Sequence, residues 1–108
     1  MKLAIVGSRT IEIELDKYIP YGIECLVSGG AKGIDSCVRS YAESHGIKLI
    51  EFLPEYKRYG RAAPLMRNKQ IVEYADKVLI FWNGASKGSK FVIEECNRQC
   101  KEYEVYIV

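Results

Sequence analysis

The 108-residue sequence is short of several features that would assign a protein to a class at once. Its longest apolar run falls well below the roughly 18 to 20 residues needed to cross a bilayer. The apolar start, residues 3–6, is too short for a secretory signal and runs straight into Gly7-Ser8-Arg9, so a cytoplasmic location is the default expectation. The formal charge of +2 gives no electrostatic case for nucleic acid or an anionic membrane. Cys25, Cys37, Cys96 and Cys100 form no CxxC pair and no zinc-finger spacing. Cys96 and Cys100 are four apart on an expected helix and would share a face; buried, reduced thiols and no metal are the expectation. No repeat, low-complexity tract or linker divides the chain, and its length suits one domain.

What is present is an alternation of apolar runs and amphipathic stretches. Residues 2–6, 24–28, 47–53, 77–82 and 104–108 read as strands, most of them nearly continuous in apolar residues as strands buried on both faces are. Between them, 11–19 reads as a helix broken by Pro20-Tyr21-Gly22. A second helix starts after Gly33, with Ile34, Cys37, Val38, Tyr41 and Ala42 on one face and Gly46 just past its end. A third follows Pro64 and runs to Ala75, with Met66 and Ile71 facing inward. The fourth spans 89–101, with Glu94 and Glu95 on a solvated face. This pattern predicts an α/β, Rossmann-like three-layer sandwich with a mainly parallel five-stranded sheet of order 3-2-1-4-5. Ligands of such sheets bind beyond the carboxyl ends of the strands, where the order reverses between strands one and four.

Three segments sit at those strand ends. They are Gly7-Ser8-Arg9, then Ser28-Gly29-Gly30-Ala31-Lys32-Gly33, then Asn83-Gly84-Ala85-Ser86-Lys87-Gly88-Ser89, and they hold six of the nine glycines. Glycine admits close approach of backbone amides, the following helix N-terminus favours an anion, and serine and arginine add donors and charge. A nucleotide-type small molecule is therefore the expected partner, bound through its phosphate. Strand one is followed by GSR rather than GxGxxG, and GASKGSK lacks the GK[ST] order of a P-loop, so neither a standard NAD site nor an ATPase is expected.

Other residues carry two readings each. Asp35 either complements its helix N-terminus or binds a ribose hydroxyl. Arg67-Asn68 is either surface or a phosphate contact. Trp82 either stacks on a base or packs at the rim. Lys57, Arg58, Arg61, Arg67 and Lys69, with Tyr56 and Tyr59, are either a solvated connection or a site for single-stranded nucleic acid.

Read in order, GSR, VSGGAKGID, YGRAAPLMRN and YADKVLIFWNGASKGS resemble the SLOG superfamily, which includes the DNA-processing protein A (Smf) proteins and the lonely-guy phosphoribohydrolases. The match is to its YspA-like branch and covers nearly the whole chain. The resemblance implies a Rossmann-like fold that binds nucleotides or nucleotide-derived molecules without an added cofactor, a sensing role, and a homodimer. The lonely-guy enzymes hydrolyse a nucleoside 5′-monophosphate with an arginine, matched by Arg67, and a glutamate of a PGGxGTxxE motif. Here Trp82 stands for the proline, and Val92 holds the glutamate's place. Glu94 and Glu95 lie roughly 200 to 300° further around the helix and do not substitute. Cleavage of an N-glycosidic bond needs a carboxylate, so Asp35 and Glu55 become the candidates, with Arg67 on phosphate.

Overall fold

The computed structural model describes residues 1–30 and 33–108. Its centre is one five-stranded parallel sheet of order β3-β2-β1-β4-β5, built from β1 (Lys2–Gly7), β2 (Cys25–Ser28), β3 (Lys48–Glu51), β4 (Lys77–Trp82) and β5 (Glu102–Ile107). β1, β2 and β4 are the most apolar and are buried on both faces, whereas the edge strand β5 alternates exposed and half-buried positions. The order and handed crossovers put the first two connections on one face and the last two on the other.

On the first face, α1 (Ile34–His45) packs Ile34, Val38 and Ala42 against Leu3, Ile5, Leu26, Leu79 and Phe81. On the second, α3 (Ala63–Tyr74) and α4 (Lys87–Arg98) enclose Ala4, Val6, Val27, Val78 and Ile80 with Ile71, Val72, Val92 and Cys96. The short helix α2 (Tyr56–Tyr59) and a single 3-10 turn, Gly60–Ala62, lead into α3, which has Pro64 in its first turn. Met66 is half-buried rather than inside. Among the described residues no helix is long and apolar enough to cross a membrane.

Residues 11–19 are not a helix. Apart from one 3-10 turn at Leu15–Lys17 the segment is irregular, and Glu14 is extended at φ −83° and ψ 113°. Ile11, Ile13 and Leu15 alternate with Glu12 and Glu14, so a period of two keeps the apolar side chains inward and the acids in water. The β-branched isoleucines favour the same outcome.

The fourth helix also ends earlier than its sequence suggests. Cys100 adopts φ +54°, its amide donates to the Asn97 carbonyl, and Lys101 N–H donates to the Cys96 carbonyl, which is a Schellman closure without glycine. Cys100 is therefore exposed and off the helix, while Cys96 is buried on it, so the two share no face. Burial pushes the Cys96 thiol up to about 11. Iodoacetamide at pH near 8 is accordingly expected to alkylate Cys100 first and leave Cys96 unmodified in the native protein, as read by peptide mass spectrometry; early labelling of Cys96 would contradict its burial.

Glu95 likewise departs from expectation. It is 2% exposed, pairs with Arg98 and accepts a 2.8 Å hydrogen bond from Gln99 Nε2, whereas Glu94 is solvated. Its position three after Val92 and six after Ser89 sets it on the buried stripe of α4, a spacing visible in the sequence.

Candidate phosphate-binding cleft

The sheet's order reverses between β1 and β4, and a cleft of about 400 Å³ opens there between the β1 exit, α3 and the N-terminus of α4. That size lies within the ~300–1,000 Å³ usual for small-molecule sites. Gly7, Ser8, Arg9 and Thr10 form one wall, Pro64, Leu65, Arg67, Asn68 and Ile71 another, and Asn83, Ser86, Gly88, Ser89 and Val92 the third, with Gly29 and Asp35 at the base.

Arg67 is buried in the wall of this cleft rather than lying on the surface, at 8% exposure. Its Nε donates to Asn68 Oδ1 at 2.8 Å, and its Nη1 to the carbonyls of Gly29 at 2.8 Å and Phe52 at 3.5 Å. A side chain on residue 29 would collide with it: a Cβ there would sit 2.6 Å from Arg67 Nη1 and 3.2 Å from Asp35 Oδ2. Gly29 is thus the gap into which the guanidinium and the carboxylate both fit. Burial lowers the Arg67 pKa from its ordinary value, Asp35 opposes that shift, and the nearby charge of Arg9 adds to it. A guanidinium still stays protonated, so two cations face the cleft against one lining carboxylate among the described residues.

The N-terminus of α4 supplies further donors. Ser86, its N-cap residue, makes no side-chain cap hydrogen bond, so the first-turn amides at Gly88 and Ser89 carry the positive end of the helix dipole into the cleft. Asn83 shapes the approach, its Oδ1 accepting from the amides of Ala85 at 2.9 Å and Ser86 at 2.8 Å. Across from Gly88, Asn68 Nδ2 lies 4.0 Å from where a Cβ would be.

Ser8 is the decisive detail. Its amide donates to the Phe81 carbonyl and its carbonyl accepts from Ile11, yet its Oγ, on a residue 4% exposed, has no partner. Among the described residues it is the buried side-chain polar atom left unsatisfied. A hydroxyl buried without a hydrogen bond costs stability, and since Ser8 lines the cleft, a rotation of its side chain toward a ligand oxygen there would relieve that cost.

Several residues singled out from the sequence shape the cleft without lining it. Trp82 is half-buried against the core, and its indole N–H donates to the Ser86 carbonyl at 3.0 Å, pinning the loop that carries α4. Ser28 is buried with its Oγ 3.4 Å from the Gly30 amide. Gly30, Gly33 and Gly84 take positive φ and act through the backbone. Ala31 lies outside the described residues. Glu55 is exposed and 3.8 Å from Arg58, away from the cleft. The basic stretch does not act as one cluster, since Arg67 turns into the cleft while Lys57, Arg58 and Arg61 stay in solvent. Asp76, beyond α3, accepts from the Lys2 amide at 2.8 Å, which holds its carboxyl below the ordinary value. Thr10, Pro64 and Leu65 carry no sequence signal for the cleft, whereas Asn83, an Asn-Gly after a strand, opens the third glycine-rich segment.

A family model, that of the YAcAr family (YspA, cpYpsA-related SLOG family), matches residues 2–59. The chain belongs to this SLOG family. Among solved structures, the X-ray structure of DNA processing protein A from Streptococcus pneumoniae is similar over 96% of this chain and 49% of that one, at 23% identity and a TM-score of 0.75. The SLOG chain thus spans about half the length of that relative, and the likeness establishes a shared Rossmann-like fold. No curated protein matches. The matched segment of the family model contains Ser8, Gly29 and Asp35, while Arg67 and the α4 N-terminus lie beyond it.

Proposed function

We propose that the cleft binds a nucleotide or nucleotide-derived ligand through its phosphate, as a receptor rather than as an established catalyst. The observation that carries this reading is the cleft's lining, where Arg9, Arg67 and an uncapped helix N-terminus meet beside Ser8, whose buried Oγ has no partner. A phosphate presents several acceptor oxygens and satisfies all of these donors together. Pro64, Leu65, Ile71 and Val92 give the apolar wall that a base and sugar need. The wall holds Val92 where a hydrolase would place a glutamate, so hydrolysis would depend on Asp35 alone; release of free base from a nucleoside monophosphate would establish that activity.

The test is a thermal-shift panel of nucleoside mono- and diphosphates, NAD, ADP-ribose and cyclic nucleotides at about millimolar concentration. A ligand at 100 times its dissociation constant adds about 2.7 kcal/mol and raises the midpoint by several degrees. Ser8→Ala is expected to leave the unliganded protein as stable or slightly more so, while weakening the nucleotide that binds by roughly three- to tenfold. A cooperative melt that no nucleotide shifts would overturn the reading. Single-stranded nucleic acid is the second reading, supported by the exposed Lys57, Arg58 and Arg61; steeply salt-dependent binding of oligonucleotides would bring it forward.

A further inference from the structure

The connection between β3 and α3 is ordered without a core of its own. Neither α2 nor the 3-10 turn after it buries a residue, and Leu53 and Tyr56 are 61% and 59% exposed. Both ends are fixed. Phe52 donates its amide to the Ser28 carbonyl at 2.9 Å and lends its own carbonyl to Arg67, and Ala63 is fully buried. Between these anchors, Gly60 adopts φ +57° with no atom within 4 Å of a would-be Cβ, so the backbone turns in open space.

The composition of this stretch matches the neighbouring cleft. Lys57, Arg58 and Arg61 outnumber Glu55, which is engaged with Arg58. This stretch runs directly into α3, whose first-turn residues Pro64 and Leu65 and then Arg67 line the cleft, with Leu65 41% exposed. Exposed apolar and cationic side chains beside an anion site gain burial and Coulomb energy only by moving onto its occupant. With no fully buried residue between Leu53 and Ala62, such movement breaks only the half-buried contacts of Pro54 and Tyr59 and the packing of Leu53 beside Gly30.

We propose that residues 53–62 form a strap that closes over a bound nucleotide, laying Tyr56 against it and drawing the strap's cations toward its phosphate. The inference rests on the nucleotide reading of the cleft and adds Tyr56 to the ligand contacts. Closure would exclude water and slow release.

Limited trypsin digestion of the full chain with 5′-AMP or ADP-ribose tests it, with cuts after Lys57, Arg58 and Arg61 compared with the cut after Lys17, which lies over the opposite face of the sheet. If the closed state dominates, the strap cuts should fall about tenfold relative to Lys17, because cleavage follows the open population. Tyr56→Ala should raise the nucleotide's dissociation rate roughly three- to tenfold, with the unliganded melting temperature unchanged. Tyr56→Phe should retain most of the slow release. Binding of either nucleotide with unaltered strap cleavage and an unaltered off-rate would overturn closure while leaving the cleft reading intact. Failure of both nucleotides to bind, together with a melt that no member of the nucleotide panel shifts, would overturn both; a panel member that does shift the melt replaces them in the digestion.

Discussion

Replacing Arg67 with alanine is expected to weaken nucleotide binding by roughly 10- to 150-fold, the value of a charged hydrogen-bonding partner lost from a buried site. The same change should lower stability by about 1–3 kcal/mol, because the Gly29 carbonyl loses its 2.8 Å donor and Asp35 loses a neighbouring cation. For a domain of this size that corresponds to roughly 5 to 15 °C in melting temperature. Binding must therefore be measured by calorimetry well below the variant's midpoint. Arg67→Lys separates the two effects. It keeps the charge but cannot reach the Gly29 and Phe52 carbonyls while also holding Asn68, so part of the affinity should survive. Unchanged affinity in Arg67→Ala would remove this residue from the ligand site.

Gly33→Ala should be the most destabilising single-methyl change in the chain. Gly33 adopts φ 69° and ψ −121°, outside even the left-handed helical region, and its Cβ would lie 2.3 Å from the Arg9 carbonyl oxygen. The obstacle is backbone, so no side chain can swing aside. Strain and overlap together should cost about 3 kcal/mol or more, a fall of roughly 10 to 20 °C in the midpoint. Gly46→Ala is the matched control. Its φ of 63° is also positive, but no atom lies within 4 Å of the new methyl, so a loss of about 1 kcal/mol is expected. Equal losses at the two positions would show that φ alone matters and that the contact with Arg9 does not. Because that contact joins the start of α1 to the β1 exit, Gly33→Ala should also disturb the wall of the cleft that Ser8 and Arg9 provide.

Much of the fold is legible from local pattern. Runs such as Val78, Leu79, Ile80 and Phe81 are apolar at every position, which only a strand covered on both faces requires. Gly46 marks the end of α1 and Pro64 the start of α3. Where local signals compete, the reading fails. Ile11, Leu15 and Ile19 are spaced as on a helix, while Ile11, Ile13 and Leu15 alternate as in extended chain. The sheet face above them chose the second, which buries the isoleucines without a helix that β-branched residues form poorly. The fourth helix lacks a glycine stop because Cys100 itself takes the left-handed conformation.

Sequence alone was enough for the parallel strands and the edge at which glycine, serine and arginine gather, because burial on both faces and tight strand-to-helix turns leave signatures within a few residues. The order, expected as 3-2-1-4-5 and found so, is set by pairing between strands distant in the chain. Sequence could not decide which of the gathered residues meet. Gly29, Asp35 and Arg67 come from three elements, and only their packing shows that residue 29 must lack a side chain for the guanidinium to reach its carbonyl. The tertiary structure likewise moved Trp82 from the ligand's side of the loop to its support, put Glu95 inside, and left the hydroxyl of one cleft-lining serine buried without a partner. Each depends on contacts between residues distant in the chain, whose energies no local pattern encodes.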